Sequence, residues 1–411
     1  MNILFLSHYY KPEEYAAASR VTALAERWVK DGHSVTILTC VPSSADGKIW
    51  SGYKNKLHQT EVINGVKIIR CWTFVASNKE PLKRMFNFLT FMFSTFLVGL
   101  TLPRPDIMIA TSGHIFCGLS GAFLSIFRRL PFVLEIRDIW PESASAVGAK
   151  LPIGSMQIAS LIEKIMYSTA DHIVTLGMGY LEKLVERNVP RKKISVVMNG
   201  VDKTLFYPRP RNETLLKDKG LDGKFICSYI GTIGMACGLA TALDAAEILQ
   251  KKGNDKIRIV LIGDGAVREK LEADAKQRDL KNIVFLGHIA KSEIPEWVAS
   301  SDINLVHLKK TELFATVMPS KIFESAGCSR PVLMAVNGFA KKLVEDANMA
   351  VSIEPEDAQA MADALIEIQD KQDFLKELGE NGYKNVASVY DRDSQAKNYL
   401  SILRDVLKLK K

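Results

Sequence analysis

Short runs of Val, Ile and Leu alternate along the whole chain with longer segments whose apolar residues recur at helical spacing, the pattern of a parallel sheet covered by helices. The pattern starts, stops and starts again. In the first half it predicts strands over residues 2–7, 34–41, 66–72, 106–112, 132–137, 172–176 and 194–198, with a helix over 19–30 stopped by Asp31-Gly32. Turn formers gather between Met198-Asn-Gly-Val-Asp202 and Pro208-Arg-Pro-Arg-Asn212, where a linker is expected. A second series of strands follows over 225–230, 257–263, 283–287, 303–308, 331–336 and 350–353. Beyond Ala358 the chain reads as helical, with a stop at Asn381-Gly382 and a last helix over about 393–408. The expectation is two Rossmann-like, doubly wound α/β domains facing a cleft, over residues 1–198 and 199–388, with a helix over 389–411 packing back on the first.

One stretch departs from this pattern. Met85 to Leu102 carries no charge for about the length that crosses a bilayer, yet it stands where a crossover helix is needed before the strand over 106–112. Two readings stay open. It is a strongly apolar crossover helix, or a helix that also dips into a membrane surface through Phe86 to Leu100, beside Lys79, Lys83 and Arg84. Its five phenylalanines exceed what one core face needs.

Composition narrows the function classes. With 411 residues, 47% hydrophobic and 24% charged, the chain is long and apolar enough for two cores. A net charge of +8 permits phosphates or a lipid surface as partners, and no basic cluster interleaved with aromatics points to nucleic acid. The six cysteines are scattered singly, without zinc or disulfide spacing, which predicts a reducing compartment. The opening Met-Asn-Ile-Leu-Phe-Leu-Ser-His reads as a buried strand and not as a signal peptide, so a cytoplasmic location is expected.

Candidate chemistry concentrates in the second half. A strand runs into Gly231-Thr232-Ile-Gly234-Met-Ala-Cys-Gly238 and then a helix, where glycines let backbone N–H groups approach a phosphate; an ordinary tight turn reads equally well from that motif alone. The spacing is not that of a dinucleotide fingerprint. Gly263-Asp-Gly265 ends the next strand and Gly287-His288-Ile289 the one after, so three consecutive strand ends carry glycine on the side where α/β ligands bind. Pro319 and Ser320 suit the first turn of a helix, on which Lys321 and Glu324 lie three residues apart. There a cation meets a diphosphate and a carboxylate accepts from ribose hydroxyls, or the two form a plain surface pair.

These residues carry a resemblance. Glu135-Ile-Arg137-Asp138-Ile-Trp-Pro141-Glu142, Asn199-Gly-Val-Asp202 with Phe206 and Pro208, the glycine turns and Pro319-Ser-Lys-Ile-Phe-Glu324 together resemble the retaining glycosyltransferases of family four, which have the GT-B fold. The resemblance spans nearly the whole chain and is nearest to bacterial aminosugar transferases of O-antigen and capsule synthesis, such as N-acetylfucosamine transferases. It implies that Glu324 holds the donor ribose and that Lys321, with the Gly231 turn, holds the pyrophosphate. Catalytic roles are implied for Arg137, Asp138 and Lys321, with Ala17, Ala18, His114 and Glu135 on the acceptor side. His114 also reads as a helix-start residue, and Asp138 as a carboxylate capping a strand end. The expected partners are a nucleotide sugar, most simply a UDP-linked N-acetylated aminosugar, and a lipid-linked (polyprenyl diphosphate) glycan at the inner face of the plasma membrane.

The sequence departs from the family pattern in three places. Thr316 stands where the family has a second glutamate, Thr232 and Cys237 stand where it has Arg and Lys, and Tyr15-Ala-Ala-Ala-Ser19 replaces a glycine pair. No metal or cofactor is expected: the one Asp-x-Asp, Asp391-Arg-Asp393, reads as the cap of the last helix. Two other functions fit the same residues, a nucleotide-sugar 2-epimerase and a nucleotide-sugar-binding subunit without turnover.

Overall fold

Strand β1 (Asn2–Leu6) is buried from Ile3 onward and pairs in parallel with β2 (Ser34–Cys40) on one side and β5 (Ile107–Thr111) on the other. β3 (His58–Ile63), β4 (Val66–Cys71), β6 (Phe132–Ile136), β7 (His172–Thr175) and β8 (Ile194–Val196) complete an eight-stranded sheet of order β3-β4-β2-β1-β5-β6-β7-β8. Every pair is parallel except β3–β4. A second, all-parallel sheet of order β11-β10-β9-β12-β13-β14 is built from β9 (Phe225–Ile230), β10 (Ile257–Ile262), β11 (Ile283–Gly287), β12 (Ile303–His307), β13 (Val332–Ala335) and β14 (Ala350–Ser352). In this computed structural model residues 1–13, 16–44, 46–77, 80–140, 142 and 154–410 are described.

The chain divides into two units, Met1–Met198 with Asp393–Lys411, and Asn199–Arg392. The core of the first takes in Phe5, Trp28, Ile37 and Val133, together with Ala396, Tyr399, Leu400, Leu403 and Val406 from the helix Arg392–Lys408. The Trp28 indole donates to the Ala396 carbonyl at 3.0 Å and packs edge-on against Tyr399. The second unit buries its own set, including Phe225, Tyr229, Leu243, Ile259 and Leu305.

Three local expectations change. Helix α1 spans Ala16–Lys30, three residues earlier than the pattern predicts, because alanine is the best helix former and extends the turn. Ala17 and Ala18 are therefore helical, while Tyr15 lies outside the described residues. β3 is an added edge strand, joined to β4 by Asn64 (φ 51°) and Gly65 (φ 79°). The helix Gln372–Gly382 does not stop at Gly382; it continues as a wider turn over Tyr383–Ala387, since Gly382 holds helical angles.

Helix α2 (Pro81–Thr101) crosses from β4 to β5 and packs on α3 (Ile115–Arg128). Its inward face is a narrow line of Asn87, Phe91, Thr95 and Gly99; Thr95 Oγ1 meets Ser120 Oγ at 2.8 Å, and a Cβ on Gly99 would stand 2.5 Å from Leu124. The opposite face leaves Phe86, Phe93, Leu97 and Leu100 exposed. Lys79 lies outside the described residues.

Candidate active site

In the second unit three neighbouring strands, β9, β10 and β11, end in glycine turns that are stitched together beyond the sheet. Gly231 N donates to the Ile262 carbonyl at 2.8 Å, Ile233 N to Asp264 at 2.9 Å and Gly263 N to Gly287 at 2.8 Å. The approach is closest at Gly263, at φ 138°, where a Cβ would lie 1.9 Å from the Gly231 carbonyl oxygen. Only glycine fits there. Gly263→Ala is expected to cost about 3 kcal/mol or more of stability. Gly253→Ala, at φ 70° with open space around it, costs roughly 1–2 kcal/mol; urea midpoints of the two variants check the difference.

Gly265 backs onto Ile233, and Gly234 opens a single tight turn, Met235–Cys237, that delivers Gly238 in the left-handed conformation against His307. The helix that follows, Ala240–Lys251, starts after Leu239. Thr232 is exposed; its carbonyl accepts from the Tyr229 hydroxyl at 2.8 Å and from the Cys237 thiol at 3.2 Å. His288 is exposed and Ile289 half-buried at the end of β11.

Lys321 reaches this cradle. Its ammonium lies over the Tyr229 ring, 4.8 Å from the centroid, and would stand 2.8 Å from a Cβ on Gly231. The helix it opens, Lys321–Gly327, is only seven residues long. Pro319 and Ser320 precede it rather than forming its first turn, because Ser320 occupies the N-cap position and lends its carbonyl to Phe323 and Glu324. Glu324 and Lys321 line one small cavity with Ser228 and Asn304. Protein crowding raises the Glu324 carboxyl above its ordinary pKa, while Lys321, Arg392 and Lys291 pull it back. Arg392 and Lys291 were not singled out from the sequence; both come from segments remote from the motif. Thr316 is buried and its hydroxyl is spent on the Leu313 carbonyl at 2.6 Å.

The strand ends of the first unit gather a second group. Arg137 N donates to Ser112 Oγ at 3.3 Å, and its guanidinium donates to the Ala17 carbonyl at 2.9 Å, which joins the end of β6 to the first turn of α1. Asp138 follows; burial pushes its carboxyl up to about 6, with Arg137 pulling down. Tyr180, absent from the sequence candidates, is near enough to Asp138 for that charge to raise the phenol further. Ala18 is fully buried. Glu135 is fully buried as well and is held by the Arg20 guanidinium at 3.1 Å, which also donates to the Val197 and Met198 carbonyls. That pairing makes Glu135 part of the interior and not of an acceptor surface.

His114 is the N-cap residue of α3. Its Nδ1 accepts from Cys117 N at 3.3 Å at the start of α3, and its ring stacks on Phe88 at 4.0 Å. The six cysteines are free. Among the described residues no group of three or more His, Cys, Asp or Glu is placed to hold a metal ion. Asp393 lies in the first turn of its helix and pairs with Arg27. In the Glu135–Glu142 motif, Pro141 lies outside the described residues, and Glu142 pairs with Arg187.

Two family models match, that of the glycosyl transferases group 1 over residues 212–385 and that of the glycosyl transferase 4-like domain over residues 16–200. Among curated proteins, the chain is 24% identical over 376 residues to WcaI of Escherichia coli K12, named for colanic acid biosynthesis glycosyl transfer, covering 88% of this chain and 90% of the relative. It is 24% identical over 308 residues to a protein named glycosyltransferase WbjE of Pseudomonas aeruginosa, covering 72% and 75%. Among solved structures, HepE of Anabaena in complex with UDP-glucose superposes with a TM-score of 0.74 at 17% identity, over 98% of this chain and 99% of that one.

Proposed function

Because the chain belongs to the group 1 glycosyl transferases, we propose that it moves a sugar from a nucleoside diphosphate donor, UDP, to a lipid-linked glycan during surface polysaccharide synthesis, with retention at the anomeric carbon. The carrying observation is the second unit's cradle, in which Lys321 stands over the glycine turn of β9 and Glu324 lies one helical turn on. The relative named for colanic acid biosynthesis and the neighbour solved with UDP-glucose support the pathway and the donor base. An N-acetylated aminosugar is the transferred group in this reading.

Transfer through an oxocarbenium-like transition state requires the departing diphosphate to be stabilised where its charge grows. The Lys321 ammonium and the backbone N–H groups of the glycine turns are donors of that kind. With no cation at Thr232 or Cys237, Lys321 carries more of the task than a fully charged turn would ask of it. The departing phosphate itself takes the acceptor's proton, so attack occurs on the face the phosphate leaves, and neither an enzyme nucleophile nor a metal is used.

Peripheral attachment to the inner face of the plasma membrane accounts for the outward face of α2. Phe93 and Leu97 are each 61% exposed and Phe127 of α3 is 71% exposed, side by side with Phe96. Lys83 and Arg84 flank one end of this face and Arg104 and Arg129 the other, which suits an anionic lipid surface.

Asp138 gives a prediction with a definite sign. Its folded pKa of about 6 lies above the ordinary carboxylate value, so the folded state loses stability as pH rises from about 4 through 6. Asp138→Asn is therefore expected to be more stable than the wild type at pH 7, on the order of 2 kcal/mol, and no more stable at pH 4. It is also expected to lose turnover. Denaturation at the two pH values and a kinetic assay at pH 7 check both halves.

The donor assignment is tested by calorimetry with a panel of nucleotides and nucleotide sugars in EDTA, with Glu324→Ala as the control. UDP binding that needs no metal and weakens in the variant is the expected result; no binding by any nucleotide would falsify the transferase reading. A second reading, a donor-binding subunit without turnover, draws on Thr316, whose hydroxyl is tied to Leu313 where the family has a glutamate. UDP release in the presence of a lipid-linked glycan separates the two.

A further inference from the structure

A buried imidazole ties the glycine turn after β9 to two other segments of the second unit. His307 is the last residue of β12 and is buried. Its Nδ1 lies 2.7 Å from the Cys237 carbonyl oxygen, and its Nε2 lies 3.2 Å from Glu356 N. A carbonyl only accepts and a backbone N–H only donates, so the ring carries its proton on Nδ1 and keeps Nε2 as the acceptor. Burial holds the imidazole neutral against the pull of the Cys237 carbonyl and the Glu356 carboxylate, as that tautomer requires.

Both ends of this bridge sit where the backbone has a choice. Gly238 stands at φ 60°, and a Cβ on it would lie 2.9 Å from the His307 ring. Glycine takes either sign of φ with similar ease, so the Cys237–Gly238 peptide has two accessible orientations. A trans peptide sends its C=O and its N–H in opposite directions, and turning it over exchanges a partial positive charge for a partial negative one on a given side. Lys309 N also donates to the Ala236 carbonyl, at 2.9 Å, so the end of β12 grips two successive carbonyls of the turn. At the other end Glu356 holds φ 62°, a costly angle for a residue with a Cβ, and its carboxylate accepts from Lys310 N at 2.8 Å.

We infer that His307 is a positioning residue for the donor diphosphate: it holds the Cys237 carbonyl on β12, so that the glycine turn meets the phosphates with backbone N–H groups and not with that oxygen. The inference rests on the donor reading above and gives the task to a residue that does not itself touch the substrate. A carbonyl oxygen turned toward the diphosphate would repel it, whereas successive N–H groups attract it. The Glu356 turn braces the ring, because its N–H is accepted only by an unprotonated Nε2.

The test uses two amides that keep different halves of the bridge. Asparagine places an N–H near the position of Nδ1, and glutamine places an oxygen near that of Nε2. Binding of UDP and of uridine, which lacks the phosphates, is measured for the full chain, His307→Asn and His307→Gln, with urea midpoints alongside. In His307→Gln UDP is expected to weaken roughly tenfold, the worth of about one hydrogen bond, while uridine binds all three alike and His307→Asn restores most of the UDP affinity. Cys237, the one cysteine of the six that is not buried, gives a readout apart from binding: its thiol should label several-fold faster in His307→Gln than in the wild type. Parallel loss of UDP and uridine would mean plain support of the fold and overturn the positioning role, as would equal loss in the two variants or unchanged UDP affinity in His307→Gln. If His307→Gln does not fold, His307→Phe, which keeps a ring beside Gly238 and neither hydrogen bond, is read in the same way. A wild type that binds neither UDP nor uridine would overturn the donor reading and the inference with it, an outcome distinct from all of these.

Discussion

Lys321→Ala is expected to lower turnover by two to three orders of magnitude, roughly the effect of removing one preorganised donor from a developing negative charge. The ammonium is placed by the Tyr229 ring beneath it and by the glycine at 231, where any side chain would displace it. Thr232 and Cys237 supply no cation to that turn, so Lys321 is the lysine that stands over its Gly231 end. The loss should fall on kcat more than on donor affinity, because the diphosphate gains charge only as the glycosidic bond breaks. Single-turnover measurement with saturating donor reads the chemical step directly; rates equal to the wild type would remove Lys321 from the site.

Glu324→Ala is expected to act on the other parameter. A carboxylate accepting from ribose hydroxyls contributes through charge-assisted bonds, so its removal should weaken UDP about 30- to 100-fold. A second nucleotide makes the result specific. The wild type should distinguish UDP from a deoxyribose analogue and the variant should not, because the partner of the missing hydroxyl has gone. Burial raises the Glu324 carboxyl, so donor affinity should begin to fall with acid at a higher pH than an exposed glutamate would give. Discrimination that persists in the variant would place the ribose elsewhere.

The strands were legible for a physical reason. Both sheets bury most of their residues on two faces, so β5, β6, β9 and β10 read as mainly apolar runs, each with a single polar residue (Thr111, Glu135, Ser228 and Arg258). β3 was not, since His58-Gln-Thr-Glu-Val-Ile63 alternates between exposed and half-buried positions at a sheet edge, and its only announcement was the Asn64-Gly65 turn. Gly382 misled in the opposite direction: it is placed for contact with Met349, 3.1 Å from where a Cβ would sit, and not to end a helix. In the site, the glycine turns, Lys321 and Glu324 stand in contiguous motifs and could be read. The Arg20–Glu135 pair, Tyr180 beside Asp138 and His307 between Cys237 and Glu356 could not, because each depends on segments brought together by the sheet from distant parts of the chain.

The last helix has a consequence for synthesis. Ala396, Tyr399, Leu400 and Leu403 belong to the core of the first unit, although 194 residues separate that unit's earlier part from its closing segment. A ribosome adding about 5–20 residues per second needs on the order of ten seconds or longer to make that intervening stretch. During that interval Trp28 lacks the Tyr399 ring it packs against and the Ala396 carbonyl it donates to. The unit made first is therefore the one finished last, and a nascent chain stalled anywhere in the second unit displays an unsealed apolar surface to the chaperones around it.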